Sequence, residues 1–392
     1  MKIALTCPAS LPATQFGGIL FLGIDIAREL SKKNHDVTIY TTDLDFANNT
    51  KTFNKKLPRI EKVNGFTIKR THVLFKIYLF FVNPGMYNQI KKDKVQVIHA
   101  IGIRGFQTFI AALVSKYHNI PLVVSDQGGL DTHPDFQKKG IQNIMYRLQE
   151  PMIKFIIKQA KKIIVANEYE FDIFSKYCDS SKLVTIRNGI DYEHFQNRPF
   201  DFKAKNTINS KFILFLGRFS KVKGIDILLK SFSVMCKEPE FNDVKLVIMG
   251  ADFGFRDEMF KQVKELKIED RIKIIEKPSR DEVISAYHAC EFLVLPSRWE
   301  MSPLTPLEAF ACKKTVISTR VHGIPYVIEH EKTGILVEPE DVGGFASSIK
   351  MLLRDNERVS ELGENGYNLV KNTCNSKTMA ENVLKIYESL LD

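Results

Sequence analysis

Two acids eight residues apart carry the first suggestion of chemistry in this chain. Glu300 and Glu308 lie in the stretch SRWEMSPLTPLEAFA, residues 297–311, which follows the apolar run FLVL at 292–295 and Pro296. The run reads as a short buried strand. Pro303 and Pro306 suit the opening turn of a helix, where a missing N–H costs little. Glu300 then belongs to the loop leaving a strand, and Glu308 to a helix N-terminus. Ligands of open α/β sheets bind at the C-terminal ends of the strands, and helix N-termini offer free N–H groups to phosphate. Glu308 also has a structural reading. TPLE at 305–308 fits a capping box, with Thr305 as N-cap and Glu308 bonding back to its N–H.

A second constellation, GRFSKVKG at 217–224, falls between a strand and a helix pattern. Arg218 offers a rigid fork of donors and Lys223 a compact charge, a pair suited to a diphosphate. Hydrogen bonds to charged groups contribute ~1.5–3 kcal/mol each, enough to favour departure of a phosphorylated leaving group. The plainer reading is a basic surface turn. Gly17 and Gly18 follow the first strand and would let backbone approach a ligand, or simply turn the chain. DQGG at 126–129, then Asp131 and His133, crowd the end of another strand. His99, at a strand end, reads equally as a substrate contact or a hydrogen-bonded core residue. Asp43 and Asp45 have the spacing of a metal–nucleotide site, but two carboxylates rarely complete one and a loop is the simpler expectation.

The elements that must position these groups alternate. Strands are expected at 2–6, 36–41, 66–72, 95–100, 121–125, 162–166 and 183–187, with a helix over 19–33. A polar, irregular stretch at 192–210 reads as a linker. A second alternation then runs from strand 212–217 through helix 225–237, strand 244–249, helix 257–267, strand 271–275, helix 281–289, strand 291–295, helix 305–312, strand 314–318 and strand 334–337 to helices at 341–353, 357–371 and 376–391. Two doubly wound parallel sheets follow, with ligand between their C-terminal edges.

At 392 residues the chain exceeds one ordinary core, and its 44% hydrophobic content is ample for two. No apolar run reaches the ~20 residues of a spanning helix, and the first residues read as a strand, not a leader. Six scattered cysteines without C-x-x-C pairing point to reduced thiols and a cytoplasmic setting. Net charge is +10, yet residues 51–162 hold 20 Lys/Arg against 6 Asp/Glu, which leaves about −4 elsewhere. Nucleic acid, anionic lipid or an acidic substrate would each suit that basic half. The pattern over 141–162 describes a basic amphipathic helix, fit to lie on an anionic membrane or, more plainly, to pack on the sheet with solvated lysines.

Taken together, the landmarks resemble the family-4 retaining glycosyltransferases (glycosyl transferases group 1) over nearly the whole chain. The matching features are Gly17-Gly18, VIHA at 97–100, RNGID at 187–191 with Phe195, Gly217-Arg218, Lys223-Gly224, Gly250, Pro296-Ser297, the Glu300/Glu308 pair, GIP at 323–325 and TGILV at 333–337. The resemblance implies a GT-B architecture, two doubly wound Rossmann-like domains facing across a cleft. An acceptor-binding domain would cover 1–200, a donor-binding domain 206–374, and the helix 375–392 would pack back on the first. It also implies that Arg218 and Lys223 bind the donor diphosphate, that Glu308 takes the ribose hydroxyls, and that Glu300 lies near the donor sugar. Backbone N–H groups of Met301, Ser302, Pro303 and Leu304 would flank that sugar, and Gly17, Gly18 and Gly250 would border the donor. His99, Asp126, Gln127 and His133 are the acceptor-side candidates. Family members often carry a histidine where this chain has Gln127, another at Ile101, and glycines between the paired acids where this chain has MSPLTPL.

The expected activity is transfer of a sugar, with retention, from a nucleotide sugar to a hydroxyl of a glycan or lipid-linked acceptor, with no metal or cofactor required. A nucleotide-sugar epimerase of the same architecture is one rival, and would need acid and base residues in both domains. A nucleic-acid-binding protein is another, and would interleave aromatics with its lysines; the charge here is spread without such a motif.

Overall fold

Several strands of this chain are apolar at successive positions, as sheets covered on both faces require. VIHAI at Val97–Ile101 and GILV at Gly334–Val337 are buried at every residue. The computed structural model describes residues 1–45, 52–77, 80–126, 128, 130, 132–134 and 147–392. The chain divides into two units, Met1–Gly189 with Ser376–Asp392, and Ile190–Asn375.

Among the described residues the first unit builds an eight-stranded sheet. Its spatial order is Leu183–Thr185, Lys162–Val165, Leu122–Ser125, Val97–Ile101, Lys2–Thr6, Asp36–Thr42, Phe66–Thr71 and Ile60–Val63. Every pairing is parallel except the last, which is antiparallel. Helix Gly18–Lys32 starts at the C-terminal end of strand Lys2–Thr6 and packs against helix Ser376–Glu388. His99 ties that terminal helix to the sheet: one ring nitrogen meets the Tyr387 hydroxyl at 2.6 Å, the other the Ser125 hydroxyl at 2.7 Å.

The second unit carries a six-stranded, wholly parallel sheet in the order Ile272–Glu276, Lys245–Gly250, Phe212–Leu216, Leu293–Leu295, Val316–Thr319 and Gly334–Val337. Its core is rich in phenylalanine, with Phe215, Phe219, Phe232 and Phe345 fully buried. The first strand of this unit lies beside the fourth, so the winding direction reverses between Phe212–Leu216 and Leu293–Leu295. That is the topological switch point where doubly wound sheets bind ligands.

Sequence and structure agree on the alternation and differ at three places. The stretch 192–210 is not a linker. Tyr192–Phe195 and Phe202–Asn206 are helical, with Phe195 and Phe202 buried in the second unit. Two aromatic anchors outweigh the polar composition, and the division falls at Gly189/Ile190 instead of between 200 and 206. The helix expected over 141–162 is seen as Glu150–Gln159, its start lying outside the described residues. The antiparallel edge strand Ile60–Val63 and the short hairpin pairing Phe75–Ile77 with Phe80–Val82 were not anticipated.

Glycine at 250 is required by a backbone approach. A Cβ there would collide with the carbonyl of Gly217, where two adjacent strands turn into their loops. Gly250→Ala is therefore expected to cost about 1–3 kcal/mol, typical of overpacking, and to lower the unfolding midpoint by several degrees in a thermal melt. An unchanged midpoint would show that the two loops yield freely.

Candidate active site

The loops leaving the two switch-point strands carry Arg218, Lys223 and Glu300. Residues 217–220 run beside 251–253, with Phe219 N–H to Ala251 O at 2.7 Å and Phe253 N–H to Phe219 O at 3.0 Å. Arg218 thereby lays its guanidinium over the Phe253 ring, 5.0 Å from the centroid. A short turn, Lys221–Lys223, follows and ends in Gly224 at φ +67°, where a Cβ would strike the Pro296 carbonyl. The Lys223 stem passes close over Gly217, and its ammonium pairs with the Glu300 carboxylate. Ser297 Oγ donates to the same Glu300 oxygen at 3.0 Å. Both charged side chains are largely buried, at 15% and 10% exposed, so solvent screens this pair less than a surface one.

One residue that the sequence did not single out holds these loops in register. Arg298 forks onto Asp226 with contacts of 2.7 and 2.8 Å and onto Glu340 with contacts of 2.6 and 2.9 Å. It also donates to Lys221 O at 2.6 Å, so all five guanidinium N–H groups are engaged, and its backbone N–H reaches Val222 O at 2.7 Å. The turn before Lys223 is thus tied to Arg298, two residues before Glu300, through Lys221 O on the guanidinium and Val222 O on the amide.

Glu308 is not part of a capping box. Helix Leu304–Ala311 has Pro303 at its N-cap, with no side-chain cap bond. The Glu308 carboxylate instead accepts from Arg280 Nη1 at 2.8 Å and from the Tyr287 hydroxyl at 3.1 Å. Burial and the charge of Glu308 push the Tyr287 hydroxyl far above its usual range, so it remains a donor. Arg280 is itself seated over the Phe195 ring at 4.6 Å. Met301, Ser302, Pro303 and Leu304 are all buried. Pro303 has no N–H, so that part of the expectation fails: only Met301, Ser302 and Leu304 can donate there.

In the first unit, Gly17 is the cap of the long helix Gly18–Lys32, at φ +103° with no side-chain cap bond and open space where a Cβ would stand. Its first-turn N–H groups have no capping side chain, the arrangement that receives anions. The acceptor-side expectations fare less well. His99 is fully buried with both nitrogens bonded, and burial lowers its pKa to about 3; it is a neutral core histidine. Asp126 is buried too, accepting from the N–H groups of Ile103 at 3.3 Å and Leu130 at 3.1 Å, and burial raises its pKa. It shapes the loop from within. His133 is half-buried in a turn, and Gln127 and Asp131 lie outside the described residues. Asp43 is taken up by His72 at 2.6 Å and the Val73 N–H at 3.2 Å, and Asp45 by Asn54 at 2.9 Å, so neither carboxylate is arranged for a metal. Among the described residues no group of three or more His, Cys, Asp or Glu is placed to hold a metal ion.

Arg298→Lys keeps the charge and loses the two forks. Nucleoside diphosphate affinity is expected to fall about tenfold, the value of one charge-assisted hydrogen bond, while nucleoside monophosphate affinity stays within a factor of two or so, both read by calorimetry. Equal losses for the two ligands would mean that Arg298 merely stabilises the unit.

Comparison with known proteins identifies the family and the fold. The family model for Glycosyltransferase Family 4 matches residues 16–194, and that for Glycosyl transferases group 1 matches residues 197–369. The chain is 26% identical to N-acetyl-alpha-D-glucosaminyl L-malate synthase of Bacillus anthracis, over 100% of this chain and 97% of that protein. Sucrose-phosphate synthase of Thermosynechococcus elongatus superimposes with a TM-score of 0.79 at 20% identity, over 99% of this chain and 98% of that one. Anabaena HepE, solved with UDP and glucose, superimposes at 0.77 with 17% identity, over 99% and 100%. At such identities the shared property is the fold, two Rossmann-like domains of the GT-B type. With both halves matched, this chain belongs to the family-4, group 1 glycosyltransferases and is a transferase enzyme.

Proposed function

We propose that the enzyme moves a hexosyl or related group, with retention, from a nucleoside diphosphate sugar to a hydroxyl of a glycan or lipid-linked acceptor. The observation that carries this reading is the Lys223–Glu300 pair beside Arg218 at the switch point of the second sheet. It supplies two cations for a diphosphate and one carboxylate for a sugar hydroxyl.

Donor binding exchanges partners within that pair. The diphosphate takes the Lys223 ammonium and the Arg218 fork, and Glu300, released, accepts from a hydroxyl of the sugar. The ammonium and guanidinium then stabilise the leaving nucleoside diphosphate as charge builds on it. Glu308, aimed by Arg280 and Tyr287, accepts from the ribose hydroxyls. N–H groups of Met301, Ser302 and Leu304 line the sugar, and in the first unit Gly17 and Gly18 offer open backbone to the acceptor. The acceptor hydroxyl attacks the face the leaving group departs from, and a donor phosphate oxygen takes its proton. The first unit supports this route, because His99 and Asp126 are both buried and bonded, neither placed as a free base. UDP and glucose in the Anabaena neighbour make UDP-hexoses the first donors to try. N-Acetylglucosamine follows from the name of the Bacillus relative.

Lys223→Ala and Arg218→Ala are each expected to cut turnover by about 10²–10³, the scale seen when one transition-state donor is removed, with the thermal midpoint little changed. Near-normal turnover would sink the assignment. Glu308→Gln should weaken nucleoside diphosphate binding by roughly ten- to a hundredfold, and an unchanged dissociation constant would remove Glu308 from the donor site. Proton NMR of the first-formed product should show the donor's anomeric configuration; the opposite anomer would exclude retention.

A further inference from the structure

The first unit exposes large apolar side chains in one small region beside the sheet edge. Ile60, Leu74, Phe75 and Ile77 are 63%, 65%, 56% and 42% exposed. Isolated exposed residues need no explanation, but a cluster with one charge sign around it does. Residues 52–77 hold seven Lys/Arg against the single acid Glu61, a local +6. Lys55, Lys56, Arg59, Lys62 and Lys76 are exposed among the apolar residues, whereas Glu61 is paired with the buried Arg70.

Buried polar contacts hold this region together. Asp43, fully buried, draws Arg59 to 3.4 Å, the His72 ring to 2.6 Å and the Val73 N–H to 3.2 Å, so the two exposed stretches meet over one carboxylate. Arg70 then donates to Pro58 O at 2.9 Å and Leu11 O at 2.7 Å. Leu11 belongs to the loop that ends in Gly17, so the patch is joined directly to the backbone assigned to the substrate.

We propose that this patch docks the enzyme on an anionic lipid surface, with Leu74, Phe75 and Ile77 entering the headgroup boundary and the lysines meeting lipid phosphates. The inference rests on the reading that the acceptor is lipid-linked, and it gives that acceptor a place: beside the Gly17 loop. Charge complementarity selects the occupant. A second copy of the chain would bring +6 against +6. Aliphatic side chains around one phenylalanine offer nucleic acid little to stack on. Basic residues beside an anionic leaflet and apolar side chains at its boundary each add affinity.

The test is co-sedimentation of the full chain with vesicles of phosphatidylcholine alone, or with about one third phosphatidylglycerol. Binding to the anionic vesicles is expected to be at least roughly tenfold tighter and to weaken as salt rises. Leu74→Ser/Phe75→Ser/Ile77→Ser and, separately, Lys55→Glu/Lys56→Glu/Lys62→Glu/Lys76→Glu should each lower it about tenfold or more. Nucleoside diphosphate affinity of both variants should match the parent, which shows that fold and donor site are intact. Binding indifferent to lipid charge, unaltered by both variants, or absent would overturn the proposal. Sedimentation needs no turnover, so these outcomes stand apart from the fate of Lys223→Ala, which judges the donor site alone.

Discussion

Five N–H groups on one planar cation set the geometry on which the loops of the second unit depend. Arg298 binds two carboxylates and a main-chain carbonyl at once, and its own amide holds the turn before Lys223. A guanidinium is always charged and its donors are fixed in a plane, so it dictates where Asp226, Glu340 and Lys221 O must stand. A lysine could satisfy one of them. The Lys223–Glu300 pair is then a consequence: with residues 221, 222 and 298 fixed, the two side chains face each other across a short gap. Each alone would be a costly buried charge, and together they are neutral. That neutrality suits a resting site, since an incoming diphosphate replaces one anion with another.

The second aid to geometry is the absence of side chains. Gly224 and Gly250 let the loops from neighbouring strands touch backbone to backbone. Pro303 and Pro306 remove N–H groups at the start of helix Leu304–Ala311 that would otherwise need partners. The site is therefore shaped as much by what these residues lack as by what the charged ones offer.

Much of this was legible in the sequence. Unbroken apolar runs alternating with helical periods marked the strands of both sheets to within about two residues, the antiparallel edge strand Ile60–Val63 excepted. The basic turn after one strand and the acids after another fell at the switch point as the winding rules require. The misreadings share one cause, which is that local pattern is blind to contacts made far along the chain. Glu308 matched a capping box in its own neighbourhood, yet its partners Arg280 and Tyr287 lie 28 and 21 residues earlier. Arg298 looked like any loop arginine because Asp226 is 72 residues away. His99 could be read as a substrate contact or a core residue, and the choice rests on Tyr387, which covers it from 288 residues away. Asp126 is of the same kind: it stands at the end of its strand but faces the interior, where burial and its charge raise the carboxyl of Glu170, on helix Glu168–Phe174, to about 8.

The C-terminal helix carries a consequence for how the chain comes into being. Residues 190–375 are an insertion within the first unit, whose last helix arrives only with Ser376–Glu388. Until that helix emerges, His99 has no Tyr387 above it and Glu29 no Ser376 hydroxyl beside it. The inserted unit, by contrast, brings its own ends together, Ile190 N–H meeting Cys374 O at 3.0 Å. During synthesis the later-made unit is thus the first that can be finished. It is also the one whose joined termini favour excision or circular permutation as an independent piece.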